Sequence, residues 1–233
     1  MNMQEKNLEA LKTELMGETL LFGLLGRILY GELDKAWLES LIVEDVFGEA
    51  PFGADQAEIR HGLELLNRWS SENRSGISEE EFKDLKADQM RLLIGIDRVL
   101  APVWESVYFN ESRLVFQKQT LEVRDWYARF GLQIERLNKE PDDHIGLEMS
   151  FVAHLASHAL QTVDADVETF EELLQAQRDF LTDHLLRWGP AWAKLIKQHA
   201  NTDFYRGIGH LTHGALLAAA DTLQIKLPKE VSL

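Results

Sequence analysis

At 233 residues with 45% hydrophobic side chains, the chain can bury a sizeable core as one large domain or two small ones. Its 24 basic and 39 acidic residues leave a formal charge of -15, which repels phosphate backbones and anionic lipid heads, so nucleic acid and membrane surfaces are poor partners and a cationic partner is favoured. With no cysteine, disulfide frameworks, thiolate metal sites and thiol nucleophiles are excluded together, and any metal would need histidine and carboxylate ligands.

The opening stretch, MNMQEKNLEALKTELMG, mixes charges into every turn and lacks the basic-then-apolar order of a secretory signal. No later stretch is an uninterrupted apolar run of membrane length, so the expectation is a soluble, cytoplasmic protein. Leu8, Leu11, Leu15, Leu21, Leu25 and Ile28 recur at helical intervals and predict an amphipathic helix ending near Gly31. Asp34 is placed to cap a short helix through LIVEDVF, and Asp55 another that carries Ile59, Leu63, Leu66 and Trp69 on successive turns. Ser78 and Glu81 have the spacing of a capping box before FKDLKADQMRLLIG. All four helices are expected to be antiparallel and bundled.

The pattern breaks over residues 95–116, GIDRVLAPVWESVYFNESRLVF, where Gly95, Pro102 and several aromatic or β-branched residues occur without helical periodicity. Helix returns at about 118–130, with Gly131 as its stop, and a second linker follows, LQIERLNKEPDD. Further helices are predicted over roughly 143–161, 165–188, 190–200 and 203–224, with Pro190 as the first residue of one of them. Strand-like alternation is scarce, and the fold class read from this pattern is all-α, a bundle of about nine to ten helices.

Chemistry is suggested most strongly by NKEPDDHIGLEM, residues 138–149. Asp142 or Asp143 is a natural N-cap, since a carboxylate there accepts backbone N–H groups and suits the positive helix end. On one helix His144, Glu148, His154 and His158 would share an arc of roughly 120°, a candidate metal face and the basis of an alternative reading as a metallohydrolase. Against it, His144 and His154 would stand about 15 Å apart along the axis, too far to share one ion. Leu147, Phe151 and Leu155 fall inside the same arc, the mark of a core stripe. His210 and His213 repeat the metal-like spacing without a third ligand close by. HExxH, a phosphate loop, GxGxxG after a strand, GxSxG and SxxK have no convincing counterpart, so no catalytic residue and no metal ligand is assigned. Trp104 and Tyr108 stand with Glu105 and Ser106 on the irregular stretch, where a mixed aromatic and acidic cleft would suit an apolar peptide bearing basic residues. The plain alternative is a helical scaffold whose aromatics are all core.

Glu140, Pro141, Asp143 and His144 form an E-P-x-D-H signature, and APVWESVY at 101–108 before it and HLLRW at 184–188 and FYR at 204–206 after it stand in the expected order. With these four motifs the chain resembles the TorD/DmsD-type chaperones that mature redox enzymes exported by the twin-arginine pathway. The resemblance is good over about residues 85–215 and generic over 1–75. It implies an all-helical, non-enzymatic protein that binds the signal peptide and apoprotein of a client, by expectation a molybdopterin oxidoreductase, until the client's cofactor is inserted. It implies no cofactor of the chaperone's own, with weak guanine-nucleotide binding suggested for some members. It also implies a monomer or a dimer formed by exchange of C-terminal helices. On that reading residues 1–233 form a single domain, with an N-terminal helical part at about 1–131, a hinge at 132–143 and a C-terminal helical part at 144–233. The client-binding set becomes Arg91, Pro102, Trp104, Glu105, Ser106, Tyr108, Glu140, Pro141, Asp143, His144 and Glu148. Glu105, Glu140, Asp143 and Glu148 are to meet arginines, against an apolar wall of Pro102, Trp104 and Tyr108. The chain departs from the family at Leu93 and Ile96, where many relatives carry the Phe and Pro of a Phe-x-Gly-Pro run, and at Val103, where a second proline is usual.

Overall fold

A computed structural model describes residues 3–95 and 99–231, with side chains described from Leu8 onward. Ile96 therefore lies outside the described residues. The apolar stripe of the first helix, α1 (Met3–Tyr30), buries Leu15, Phe22 and Leu25 completely. It is followed by α2 (Lys35–Val43), α3 (Ala57–Glu72), α4 (Glu79–Gln89), α5 (Lys118–Arg129), α6 (Ile145–Thr162), α7 (Val167–Phe180), α8 (Leu186–His199) and α9 (Asp203–Thr222). Among the described residues there is no strand beyond one isolated bridge, between Trp104 and His144.

The observed caps show where local reading holds. Asp34 accepts the Trp37 N–H at 2.9 Å and starts α2 as expected, although the helix stops at Val43 instead of running through Phe47. Ser78 accepts from Glu81 N–H at 3.0 Å, but the Glu81 carboxylate turns away to take the Trp69 indole N–H at 2.7 Å, so only half of the capping box forms. Asp55 does not cap α3; the helix starts after Gln56, and Asp55 uses its carbonyl to accept from Arg60. Pro190 does not begin a helix either. It sits inside α8, and α7 and α8 run together as one rod through a π-helical turn at Leu181–Leu185. Such wide turns absorb an extra residue without ending a helix. The nine α-helices among the described residues therefore make eight separate rods, slightly fewer than expected.

Packing interleaves the two halves of the chain. α1 lies chiefly against α6, α3 against α9, and α8 against α9. The contact of α1 with α6 is close because Gly146 lacks a side chain: a Cβ there would meet Tyr30 N at 2.7 Å and Gly26 O at 2.9 Å. One cluster of buried apolar side chains extends from Leu15 to Leu223, including Trp69, Trp188, Trp192 and Phe204. The linkers at 99–116 and 132–143, which bury Ala101, Val103 and Ile134 in this core, carry the site.

Candidate functional site

The irregular stretch after α4 is anchored at its base and pinned at its middle. Its base leaves a π-helical turn at Met90–Ile94, where Leu92 O accepts from Ala101 N–H at 2.8 Å. Arg91 in that turn pairs with the buried Asp88 at 2.6 Å and also donates to the His199 carbonyl, so it holds the base instead of facing outward alone. Leu93 and Val103, two of the departures from the family pattern, are both buried in the core.

The middle is held by the corner at Pro141–Ile145. Glu105 N–H donates to Asp143 O at 2.9 Å and Ile145 N–H to Val103 O at 2.8 Å, which makes the short antiparallel bridge. The Asp143 carboxylate then takes two buried donors, Ser106 N–H and the Thr120 hydroxyl, each at 2.7 Å. Asp143 is thus a cross-brace joining the loop to α5, and it does not cap α6. His144 does so in its place, its Nδ1 accepting from Gly146 N–H at 3.0 Å. Burial lowers the His144 pKa to about 3, which keeps the ring neutral and its lone pair available for that cap. Asp142 pairs with Arg124 at 2.7 Å, and its carbonyl accepts from the Tyr127 hydroxyl.

Beneath the corner lie two more carboxyl groups with no exposed surface, Glu105 and Glu148. Burial, and then the charge of Asp143, push Glu105 up to about 9. Burial likewise raises Glu148 well above the usual carboxylate range, with Glu105 and Asp143 adding to the shift. Glu105 meets His184 Nδ1 at 2.8 Å, and burial lowers His184 to about 4. Both partners are driven to their neutral forms, so the contact is a neutral carboxyl–imidazole hydrogen bond. Glu148 accepts from the Trp188 indole N–H at 3.3 Å. One oxygen of each glutamate has no protein partner.

Some of the expected binding residues reach the surface and others do not. Trp104 and Tyr108 are half-buried, and Glu140 is partly exposed, accepting from the Tyr30 hydroxyl at 3.1 Å. Glu105, Ser106, Asp143 and Glu148 have no accessible surface, and Pro102, Pro141 and His144 are buried. A line of side chains joins the two accessible ends: the His144 ring lies 6.2 Å from Trp104 and 5.2 Å from Tyr30, both edge-on, and Tyr30 leads to Glu140. Next to Tyr30 a cleft of about 390 Å³ is lined by Leu132, Ile134, Leu147 and Phe151, with Glu135 and His154 among its walls. The sequence reading missed Tyr30, Thr120 and Arg124, which act through non-local bonds that no local spacing announces. His184 and Trp188 had a signal, since they begin and end the H-L-L-R-W match and a four-residue separation puts them on one helix face.

Among the described residues no group of three or more His, Asp or Glu side chains converges as metal ligands. His144 and Glu148 are committed to the helix cap and to Trp188, and nothing supports the metallohydrolase alternative. No described helix is long and apolar enough to cross a membrane.

An all-helical body with an aromatic loop braced against an E-P-x-D-H corner defines a protein class, and sequence comparison assigns it. A family model described as nitrate reductase delta subunit matches residues 53–194, more than half of the chain, and the chain belongs to that family as a chaperone of the TorD/DmsD type. The chaperone protein TorD of Vibrio cholerae serotype O1 (strain El Tor Inaba N16961) is 33% identical over 154 residues, a stretch that spans 66% of this chain and 66% of the relative. The TorD chaperone of Aliivibrio salmonicida is 28% identical, over 75% of this chain and 85% of its own. A probable Tat proofreading chaperone DmsD of Haemophilus influenzae is 25% identical, over 88% of this chain and 91% of its own.

Proposed function

We propose that this protein is a cytoplasmic maturation chaperone that holds the twin-arginine signal peptide and apo form of a redox enzyme, a molybdopterin oxidoreductase, before cofactor insertion and export. It forms and breaks no bonds in this role and needs no resident cofactor. The observation that carries the reading is the continuous line from Trp104 through His144 and Tyr30 to Glu140, beside an apolar cleft edged by Glu135. A twin-arginine leader is a basic stretch followed by a modest apolar one. Its arginines find carboxylates at Glu140 and Glu135, and its apolar part finds Trp104 and the cleft walls.

The eleven expected residues then divide by role. Trp104, Tyr108 and Glu140 form the contact surface. Pro102, Glu105, Ser106, Asp143, His144 and Glu148 set its shape from inside, Pro141 stiffens the corner, and Arg91 fixes the base of the loop. The experiment is a calorimetric titration of the protein with a synthetic twin-arginine leader from a reductase encoded beside it. Saturable binding is expected, weakened about tenfold or more by Trp104→Ala, as for a central aromatic anchor, and weakened moderately by salt, because arginine–carboxylate pairs are only partly screened. Absence of binding to any such leader would sink the proposal.

A further inference from the structure

Against the aromatic loop lies a second cavity of about 460 Å³, whose wall includes Pro102, Tyr108, Phe109 and Arg113. Part of that wall comes from far along the chain. After α9 the backbone leaves the helix at Leu223 and runs on without regular structure to Val231, which lines the cavity and packs half-buried against the core. Three ties hold the segment in place. Arg178 donates to Leu223 O at 3.0 Å, Lys194 pairs with Glu230 at 2.6 Å, and Val231 N–H donates to Arg187 O at 2.9 Å. The Arg187 guanidinium in turn lies 4.5 Å from the centre of the Phe109 ring, so one residue positions both the loop and the segment.

We propose that the wall of this cavity held by Arg187 and Lys194 is a seat for extended peptide, and that Glu230 and Val231 are its resident occupants, which a client segment displaces. The proposal rests on the client-binding reading of the aromatic loop and adds a second subsite to it. The occupant shows what the seat accepts: a backbone that gives one main-chain hydrogen bond, a β-branched aliphatic residue that shares the cavity wall with Pro102 and Tyr108, and an acidic neighbour that meets a lysine. The hold is light. The Lys194–Glu230 pair is half-exposed on both sides, Leu227 is 54% exposed, and no residue of the segment joins a helix or strand. An incoming chain with an aliphatic residue beside a carboxylate can reproduce each of these contacts, so the binding-competent fraction of the seat is what the resident segment leaves free.

Two titrations of the full chain decide the matter. In the first, a synthetic peptide of residues 226–233 is added to the Val231→Asp variant, whose own segment is no longer seated, and tryptophan fluorescence is followed, since Trp188 lies against Tyr108. Saturable binding to the variant, with weak or no binding to the unaltered protein, is expected. No binding to the variant, or equal binding to both, overturns the seat. In the second, the leader peptide with its flanking client residues is titrated into both proteins. Val231→Asp should bind about tenfold more tightly, as for a seat otherwise about nine-tenths occupied. The Val231 amide of the unaltered protein should also lose hydrogen-exchange protection when the leader saturates it. Equal affinities with protection retained overturn the displacement. A leader that binds neither protein contradicts the proposed function, while the first titration still decides the seat.

Discussion

Asp143 is the residue on which the site's shape turns. Its two carboxylate oxygens each satisfy a buried donor, from Ser106 and Thr120, and its carbonyl holds Glu105 N–H. Asp143→Ala leaves two buried donors unpaired, so chemical denaturation should show a loss of about 3 kcal/mol or more, with Asp143→Asn losing less because one acceptor survives. A loss below about 0.5 kcal/mol would remove Asp143 from the frame, since surface changes alone stay in that range. Glu105 and Glu148 carry a pH signature of definite sign. An unfolded carboxyl titrates near 4.5, while in the folded protein Glu105 titrates at about 9 and Glu148 well above its ordinary value. Between those limits the unfolded chain sheds a proton that the folded protein keeps. The contribution is therefore full at acid pH and is lost as pH rises toward the folded value, by up to about 1.4 kcal/mol per pH unit per group. Glu18, buried beside Gln177 and pushed to about 8, adds a loss of the same sign. His184, lowered to about 4, acts in the opposite sense, its share being lost as pH falls through that value. Thermal melts of Glu148→Gln should show a flatter decline in stability from about pH 6 to about pH 8.5 than the unaltered protein, and parallel curves would contradict the burial account.

At the scale of elements, the close meeting of α1 with α6 places Tyr30 against His144. Gly146→Ala puts a methyl group into backbone atoms of Tyr30 and Gly26 that cannot swing aside. Denaturant unfolding should register a loss of about 1–3 kcal/mol, the range for overpacking, and unchanged stability would show that the helices part easily. The helices themselves were legible in the sequence wherever apolar residues recur with helical period, as in α1 and α3. Less legible were the ends where a side chain has a better partner elsewhere. Asp143 had the chemistry of an N-cap, yet Thr120 and Ser106 claim its oxygens and His144 takes over the cap. Glu81 left its capping box for Trp69 in the same way. Pro190 looked like a helix start because its effect on the preceding turn is local, yet it lies inside α8, which a π turn at Leu181–Leu185 joins to α7 in one rod. Four ordered motifs marked the right region, but not which of their carboxylates reach solvent. That distribution depends on burial that only the assembled helices create.

Across the whole molecule, two irregular linkers lie on a single interleaved core and meet at a corner built from buried polar groups, with Asp143 bonded to Ser106 and Thr120. The acidic surface favours a cationic client. The frame keeps most of its carboxyl groups inside and presents aromatic side chains with Glu140 at its edge. On this account, client recognition is a property of the braced loop and corner and not of the helical body at large. Hydrogen exchange of the full chain, with and without a saturating twin-arginine leader, tests that most directly. The account predicts new protection concentrated in residues 99–116 and 140–147 and in the cleft wall at 132–135, with α2 and α3 unchanged. Protection confined to α2 and α3, with the loop and corner unaltered, would contradict it.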